Sequence, residues 1–261
     1  MSRRVLIFET PDEIGTAVAQ DIAARMASRM AARSGPFLLG CPGGRSPRPA
    51  YAALARLARA RALDLSHLII VMMDDYLTPT MDHVPIDAHY SCRRFARDEI
   101  LAVLNAGLAP SHRILDANLW FPDPANPAAY DGRIVAAGGI DLFLLASGAG
   151  DGHVAFNPQG TGAKSRTRIV PLAPQTRRDN LATFPDFASI DQVPTHGVSV
   201  GIATIAQARA SAMLVWGSDK RTAFQHLAQA TAYDPRWPAT IWASCPDATL
   251  YADHAAAGGT P

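Results

Sequence analysis

IDLFLLASGAGDGHVAFNPQG, Ile140 to Gly160, is the stretch on which the fold turns. Its opening aliphatic run reads as a strand buried on both faces, because such strands carry near-continuous Val, Ile and Leu rather than an alternating pattern. The series Ser147-Gly148-Ala149-Gly150 lets the backbone turn tightly and approach a ligand, and Asp151, Gly152 and His153 then arrive together. A carboxylate two residues before an imidazole, at the C-terminal end of a strand, is where open α/β sheets place their chemistry. The bland alternative is a glycine-rich turn carrying a structurally satisfied histidine. Four further segments weigh against it.

Outward from this stretch, strand-like and helix-like segments alternate. Arg4 to Phe8 reads as a short strand, and Asp12 to Met30 carries apolar residues at helical spacing with Asp12 placed to cap it. Pro36 to Gly40 reads as a second strand, followed by the turn CPGGRSP and an alanine-rich helix from Arg48 to Ala62. Leu68 to Met73 is a third apolar run, which stops at Asp74-Asp75; Thr78 to His89 reads as a loop before a helix over Cys92 to Leu104. Val198 to Ile202 and Ala212 to Gly217 supply two more strands. The tail from Tyr233 is expected to fold back as a strand and closing helix, with Ala257 to Pro261 frayed. Such βαβ succession predicts an α/β fold with a mostly parallel sheet covered on both faces. With no internal repeat and no convincing linker, residues 1–261 are expected to form one domain; Pro122 to Pro127 reads as a surface loop.

Composition narrows the function classes. A chain of 261 residues with 48% hydrophobic and 18% charged residues suits a globular enzyme with a full core. A net charge of +1 gives no global reason to expect nucleic acid or an anionic membrane as partner. No apolar stretch reaches membrane-spanning length, and MSRRVLIFET is too short an apolar run for a signal peptide. Cys41, Cys92 and Cys245 are widely spaced and odd in number, which argues against a disulfide framework or a structural zinc site. A cytoplasmic protein is the expectation, and homo-oligomerisation stays open.

Function should lie where strands end. In Cys41-Pro42-Gly43-Gly44-Arg45-Ser46-Pro47 the glycines free backbone amides to point inward, and Ser46 is placed to cap the helix and donate to an anion. The segment is neither a Walker loop nor a GxGxxG fingerprint. Asp74 and Asp75 follow an apolar strand directly, an expensive place for carboxylates unless they are solvated, paired or used. A carboxylate flanked by methionine and a like charge tends towards a raised pKa, which suits a general base; capping of the next element is the alternative. Thr176-Arg177-Arg178-Asp179-Asn180 and Gly217-Ser218-Asp219-Lys220 place an Arg and a Lys after strands, where they are able to close a phosphate pocket.

Together these segments resemble one family. CPGGRSPRPAY, VMMDDYL, DHVPIDAHYS, IDLFLLASGAGDGHVAFN, TRRDN, VPTHGVSVGIATI and LVWGSDK look, in collinear order, like the glucosamine-6-phosphate deaminase and 6-phosphogluconolactonase superfamily. MDDY is similar to the deaminases' MDEY and DGHVAFN to their DGHIAFN, whereas lactonases tend to carry DGHTASLFP; the balance favours the deaminase branch. The resemblance implies a Rossmann-like α/β fold and a sugar-phosphate substrate. It implies that Gly43, Gly44 and Ser46 hold the phosphate, with Arg177 and Lys220 completing the cage. Arg45 stands where the family has a small residue, either to add a charge to the cage or to recognise a second anionic group. Asp74 would be the base moving a proton between C1 and C2 of the opened sugar, and His153, oriented by Asp151, would catalyse ring opening. That chemistry calls for no metal or redox cofactor. One departure stands out: the deaminases follow DGHIAFN with a glutamate that completes a relay with the aspartate and histidine, and here the position is Pro158, followed by Gln159. A divergent isomerase–deaminase is the first expectation. A lactonase of sugar-phosphate lactones and a phosphosugar sensor without turnover are the alternatives, though no helix-turn-helix segment is present for a DNA-linked sensor.

Overall fold

The computed structural model describes residues 2–32 and 35–259. Among the described residues there are ten strands: β1 (Ser2–Phe8), β2 (Phe37–Cys41), β3 (Leu68–Met72), β4 (Asp74–Leu77), β5 (Leu119–Trp120), β6 (Leu142–Ala146), β7 (Arg168–Pro171), β8 (His196–Ser199), β9 (Ala210–Val215) and β10 (Asp247–Asp253). Seven of them form a sheet in the order β1-β10-β9-β6-β2-β3-β5, parallel at every pairing. The expected α/β architecture with a mostly parallel sheet is therefore what forms.

The helices cover both faces. They are α1 (Pro11–Ala31), α2 (Arg48–Arg61), α3 (Cys92–Phe95), α4 (Ala102–Asn105), α5 (Pro127–Ala136), α6 (Pro174–Thr183), α7 (Ile202–Ala206), α8 (Arg221–Gln229) and α9 (His254–Ala257), with a π-helical turn, Ala96–Leu101, joining α3 to α4. Successive strand side chains point to opposite faces, so each central strand feeds two cores. Phe37, Leu39, Ile70 and Leu144 pack with Ile14, Val18 and Ile22 of α1 and Leu54 of α2 on one side. Leu38, Val71, Phe143 and Leu145 pack with Ile134 of α5, Ile202 of α7 and Leu227 of α8 on the other. Burial on both faces explains why the β2, β3 and β6 sequences read as continuous apolar runs. Among the described residues no helix is long and apolar enough to cross a membrane.

Four local expectations are corrected. Thr10, not Asp12, caps α1: its side chain accepts from the Glu13 N–H, and Pro11 occupies the first turn. Pro47 rather than Ser46 stands at the N-cap of α2, which has no side-chain cap, so Ser46 does not cap that helix. Extended structure also does not stop at Asp74-Asp75. The chain leaves the large sheet at Met73 and continues as β4 in a separate antiparallel sheet, β4-β8-β7, in which Asp74 faces Ser199 and Asp75 faces Val198. Val198 to Ser199 belongs to that sheet, and Ile202 opens α7 instead of ending a strand. A satellite core of Tyr76, Val84, Cys92, Phe156, Val170 and Leu172 supports the small sheet. Of the terminal stretch expected to fray, residues 260 and 261 lie outside the described ones, and Ala257 ends α9.

Candidate active site

The large sheet has a topological switch point. From β2 the chain proceeds outward to β3 and β5; from β6 it proceeds the other way to β9 and β10. Such sheets open a crevice beyond the carboxyl ends of the strands on either side of the reversal, and ligands bind there. The glycine turn 42–47 follows β2, the Asp151–His153 loop follows β6, Lys220 follows β9 and Asp74 follows β3. Four neighbouring strands thus deliver four of the predicted segments to one edge.

At the glycine turn, Gly44 has φ +82°, a left-handed conformation that favours glycine. Among the described residues, the backbone amides of Gly43, Gly44, Arg45 and Ser46 donate to no protein acceptor, as an anion-binding nest requires. The turn is tied to the loop after β9: Trp216 Nε1 donates to Ser46 O at 3.0 Å, and Arg45 Nη2 meets Asp219 Oδ2 at 2.7 Å while its guanidinium lies 4.6 Å over the Trp216 ring. That pairing offsets the Arg45 charge and leaves the side chain half-exposed. Lys220 Nζ reaches inward and donates to Ser147 O at 2.6 Å. Burial, and then Arg45, lower the Lys220 pKa against the raising effect of Asp219, Asp179 and Asp151.

Arg177 is placed otherwise than expected. Its Nη2 donates to Ile190 O at 2.6 Å and to Val193 O at 3.0 Å, so this end of the fork ties α6 to the segment that follows it.

The Asp151–His153 loop owes its shape to two glycines. A Cβ on Gly148 would lie 2.2 Å from Asp151 Oδ1 and 2.3 Å from His153 Nδ1. Gly152, at φ +65°, lies against the Trp237 indole with the same absence of room. Asp151 Oδ1 accepts from the His153 backbone N–H at 3.2 Å and lies 2.7 Å from Nδ1. This fixes the ring through Nδ1 and leaves Nε2 as the working nitrogen. Burial pushes the Asp151 carboxyl up, but its hydrogen bond to His153 and the imidazole charge outweigh that and hold it below the ordinary carboxylate range. Farther along, Asn157 is fully buried and clamps Val154 O and Val200 O, while Pro158 O accepts from the Thr161 N–H and hydroxyl.

The two adjacent aspartates have separate fates. Asp75 is fully buried and accepts from Tyr76 N, Cys92 N and Arg93 Nε, with His83 Nδ1 at 2.8 Å. This is a structural carboxylate holding the 83–93 segment against β4. Asp74 is 6% exposed and has the Cys92 thiol at 3.5 Å. Burial pushes its carboxyl up to about 7, with the Cys92 thiol and the His153 charge pulling down and Asp75 pushing up. The seam between the two sheets is what buries it: Met73 N donates to Cys41 O and Val200 N to Met73 O. At Asp74 the native state holds a proton that the unfolded chain has lost between pH 3.8 and about 7, so this group's contribution to stability falls as pH rises through that window.

Helix α6 adds groups to which the sequence reading gave no role. Thr176 Oγ1 lies 3.5 Å from His153 Nδ1. A carboxylate oxygen of Asp179, one of Asp151 and a ring nitrogen of His153 all lie within 4.8 Å of one another. Among the described residues this is the one cluster of three such groups with a spacing a metal ion would accept. Asp179 stands inside the TRRDN segment, where the arginines are the visible signal; nothing in the sequence marks Cys92 as a partner of Asp74.

A buried carboxyl raised to about 7 and a carboxylate-fixed imidazole thus lie beside a turn of free backbone amides at the switch point. The sequence matches the family described as glucosamine-6-phosphate isomerases/6-phosphogluconolactonase over residues 9–250. The chain belongs to this family. Among similar members is the glucosamine-6-phosphate deaminase of Rhodococcus opacus (strain B4), 36% identical over 226 residues that cover 86% of this chain and 80% of the relative. That of Mycolicibacterium smegmatis is 33% identical over 258 residues, 97% of this chain and 91% of its own. A solved monomeric glucosamine-6-phosphate deaminase superposes with a TM-score of 0.82 at 26% identity, covering 98% of this chain and 99% of the other. The 6-phosphogluconolactonase of Thermotoga maritima shares the family fold at TM-score 0.68 and 18% identity, covering 97% of this chain and all of the other.

Proposed function

We propose that this member of the family is an amino-sugar phosphate isomerase–deaminase, converting glucosamine 6-phosphate, or a close relative, and water to a ketose 6-phosphate and ammonia. The observation that carries the reading is Asp74, a buried carboxyl raised to about 7 at the carboxyl end of β3, within the field of His153. A base poised there accepts a carbon-bound proton at neutral pH and returns it. The curated relatives above 30% identity support the same choice, since those named here are deaminases.

In this reading the amides of Gly43, Gly44 and Ser46 and the Lys220 ammonium hold the phosphate, and Arg45 steadies the nest through Asp219 and Trp216. The imidazole of His153 takes the proton of the O1 hydroxyl and passes it to the ring oxygen as the C1–O5 bond breaks and the C1 aldehyde forms. Asp74 then removes the C2 proton and returns it to C1, while one proton passes from the C2 ammonium to O1, leaving a C1 hydroxymethyl group and a C2 imine. Water adds to the imine and ammonia leaves, so that C2 becomes the ketone. Arg177, which the resemblance sets beside Lys220 in the phosphate cage, here ties α6 to the segment 190–193. Residues 1–261 act as one catalytic unit.

The test is a paired assay on the purified chain: ammonia release from glucosamine 6-phosphate and acid release from 6-phosphogluconolactone. Ammonia release is expected. Lactone hydrolysis alone would move the chain to the lactonase branch, and binding without turnover of either would make it a sensor.

A further inference from the structure

We propose that Asp179 of α6 is a second carboxylate partner of the His153 imidazole, a positioning residue for ring opening. The assignment rests on the deaminase reading above. Its basis is the cluster in which an Asp179 oxygen, an Asp151 oxygen and a His153 ring nitrogen lie within 4.8 Å of one another. The Asp179 carboxylate is aimed there by its own helix. Gln175 Nε2, one turn earlier, donates to Asp179 Oδ1 at 2.7 Å, and Gln175 Oε1 in turn accepts from Arg178 Nε and Nη2 at 3.2 and 2.8 Å. Thr176, between them, brings its hydroxyl to 3.5 Å from His153 Nδ1. One turn of α6 therefore faces the imidazole.

Two carboxylates this close repel each other unless a cation stands between or beside them. The Lys220 ammonium, whose charge is felt by both, offsets part of that repulsion at rest. During ring opening the imidazole carries a second positive charge, from the moment it takes the O1 proton until it releases that proton to the ring oxygen. An imidazolium flanked by Asp151 and Asp179 is stabilised at that point and not before. Charge stabilisation confined to the transition state raises kcat rather than lowering KM.

The test compares Asp179→Asn and Asp179→Glu with wild type in ammonia release from glucosamine 6-phosphate, with and without a chelator. Asp179→Asn is expected to lower kcat on the order of 10-fold to 100-fold with KM little changed, and Asp179→Glu, which keeps the charge, to recover most of the loss. Chelation should leave the wild type unaffected. A wild-type kcat in Asp179→Asn would overturn the assignment alone, as would a change confined to KM, which belongs to substrate binding. Loss of wild-type activity on chelation, restored by a divalent cation, would give the three groups to a metal and overturn it too. A wild type that releases no ammonia overturns the deaminase reading and takes this assignment with it.

Discussion

The Cys92 thiol donates to Asp74 Oδ1 at 3.5 Å and is the one side-chain hydrogen bond this carboxyl makes among the described residues. Burial and the neighbouring Asp74 and Asp75 push the thiol well above its ordinary range, so it stays protonated and remains a donor. A donor favours the ionised carboxylate, and Cys92 therefore opposes the burial that raises Asp74. Cys92→Ala should move the acidic limb of kcat/KM to higher pH. A weak thiol bond worth roughly 1 kcal/mol implies about a fivefold loss on that limb. Cys92→Ser, which restores a donor, should keep the limb near its wild-type position. A pH–rate profile of both variants checks this; an unmoved limb in Cys92→Ala would mean the thiol does not govern the base.

Gly148 has no room for a side chain beside the Asp151–His153 pair. Gly148→Ala should displace the imidazole while leaving the large sheet intact. Misplacement of a catalytic group by about 1 Å costs on the order of 100-fold in rate, so kcat should fall by that much with a small change in melting temperature. Steady-state kinetics with a thermal melt distinguish this from general unfolding.

Lys220 is drawn inward from the solvent, and its lowered pKa has a consequence for binding. The ammonium is lost at a pH below that of an ordinary lysine, 10.5. Phosphate affinity should therefore weaken in the alkaline range before a free lysine would titrate, seen as a rise in KM on that limb. Lys220→Ala should raise KM by roughly 10-fold to 100-fold at neutral pH, the worth of one charge-assisted hydrogen bond. KM measured against pH for wild type and variant checks both statements.

The family resemblance puts Arg177 in the phosphate cage, yet its Nη2 is bound to the Ile190 and Val193 carbonyls. Arg177→Ala should act chiefly on stability, by about 1–3 kcal/mol for two orphaned carbonyls and a lost charged donor. The melting temperature should drop by a few degrees. A stable variant with KM raised tenfold would return Arg177 to the phosphate.

The large sheet was legible because strands buried on both faces leave uninterrupted aliphatic runs, as in Leu68 to Val71 and Leu142 to Leu145. The pairing of the small sheet was not. β4 and β8 are four residues each, and Asp74-Asp75 reads as a strand end, because sequence does not reveal that Met73 bonds to both Cys41 and Val200. The glycine turn, Asp151, His153 and Lys220 could be found from strand ends and spacing. The separate fates of Asp74 and Asp75 could not, since the partners of Asp75 come from His83, Cys92 and Arg93, 8 to 18 residues away. Asp179 was hidden for a similar reason: its meaning depends on how α6 folds over the loop after β6, a tertiary contact without local pattern.

The central claim is that Asp74 is the base, and the most direct measurement is the pH–rate profile of ammonia release for wild type and Asp74→Asn. The wild-type kcat/KM should rise with pH through about 7, where burial places the Asp74 carboxyl, and Asp74→Asn should release no ammonia at any pH while still binding substrate. Ammonia release by Asp74→Asn at a rate near that of wild type would contradict the account.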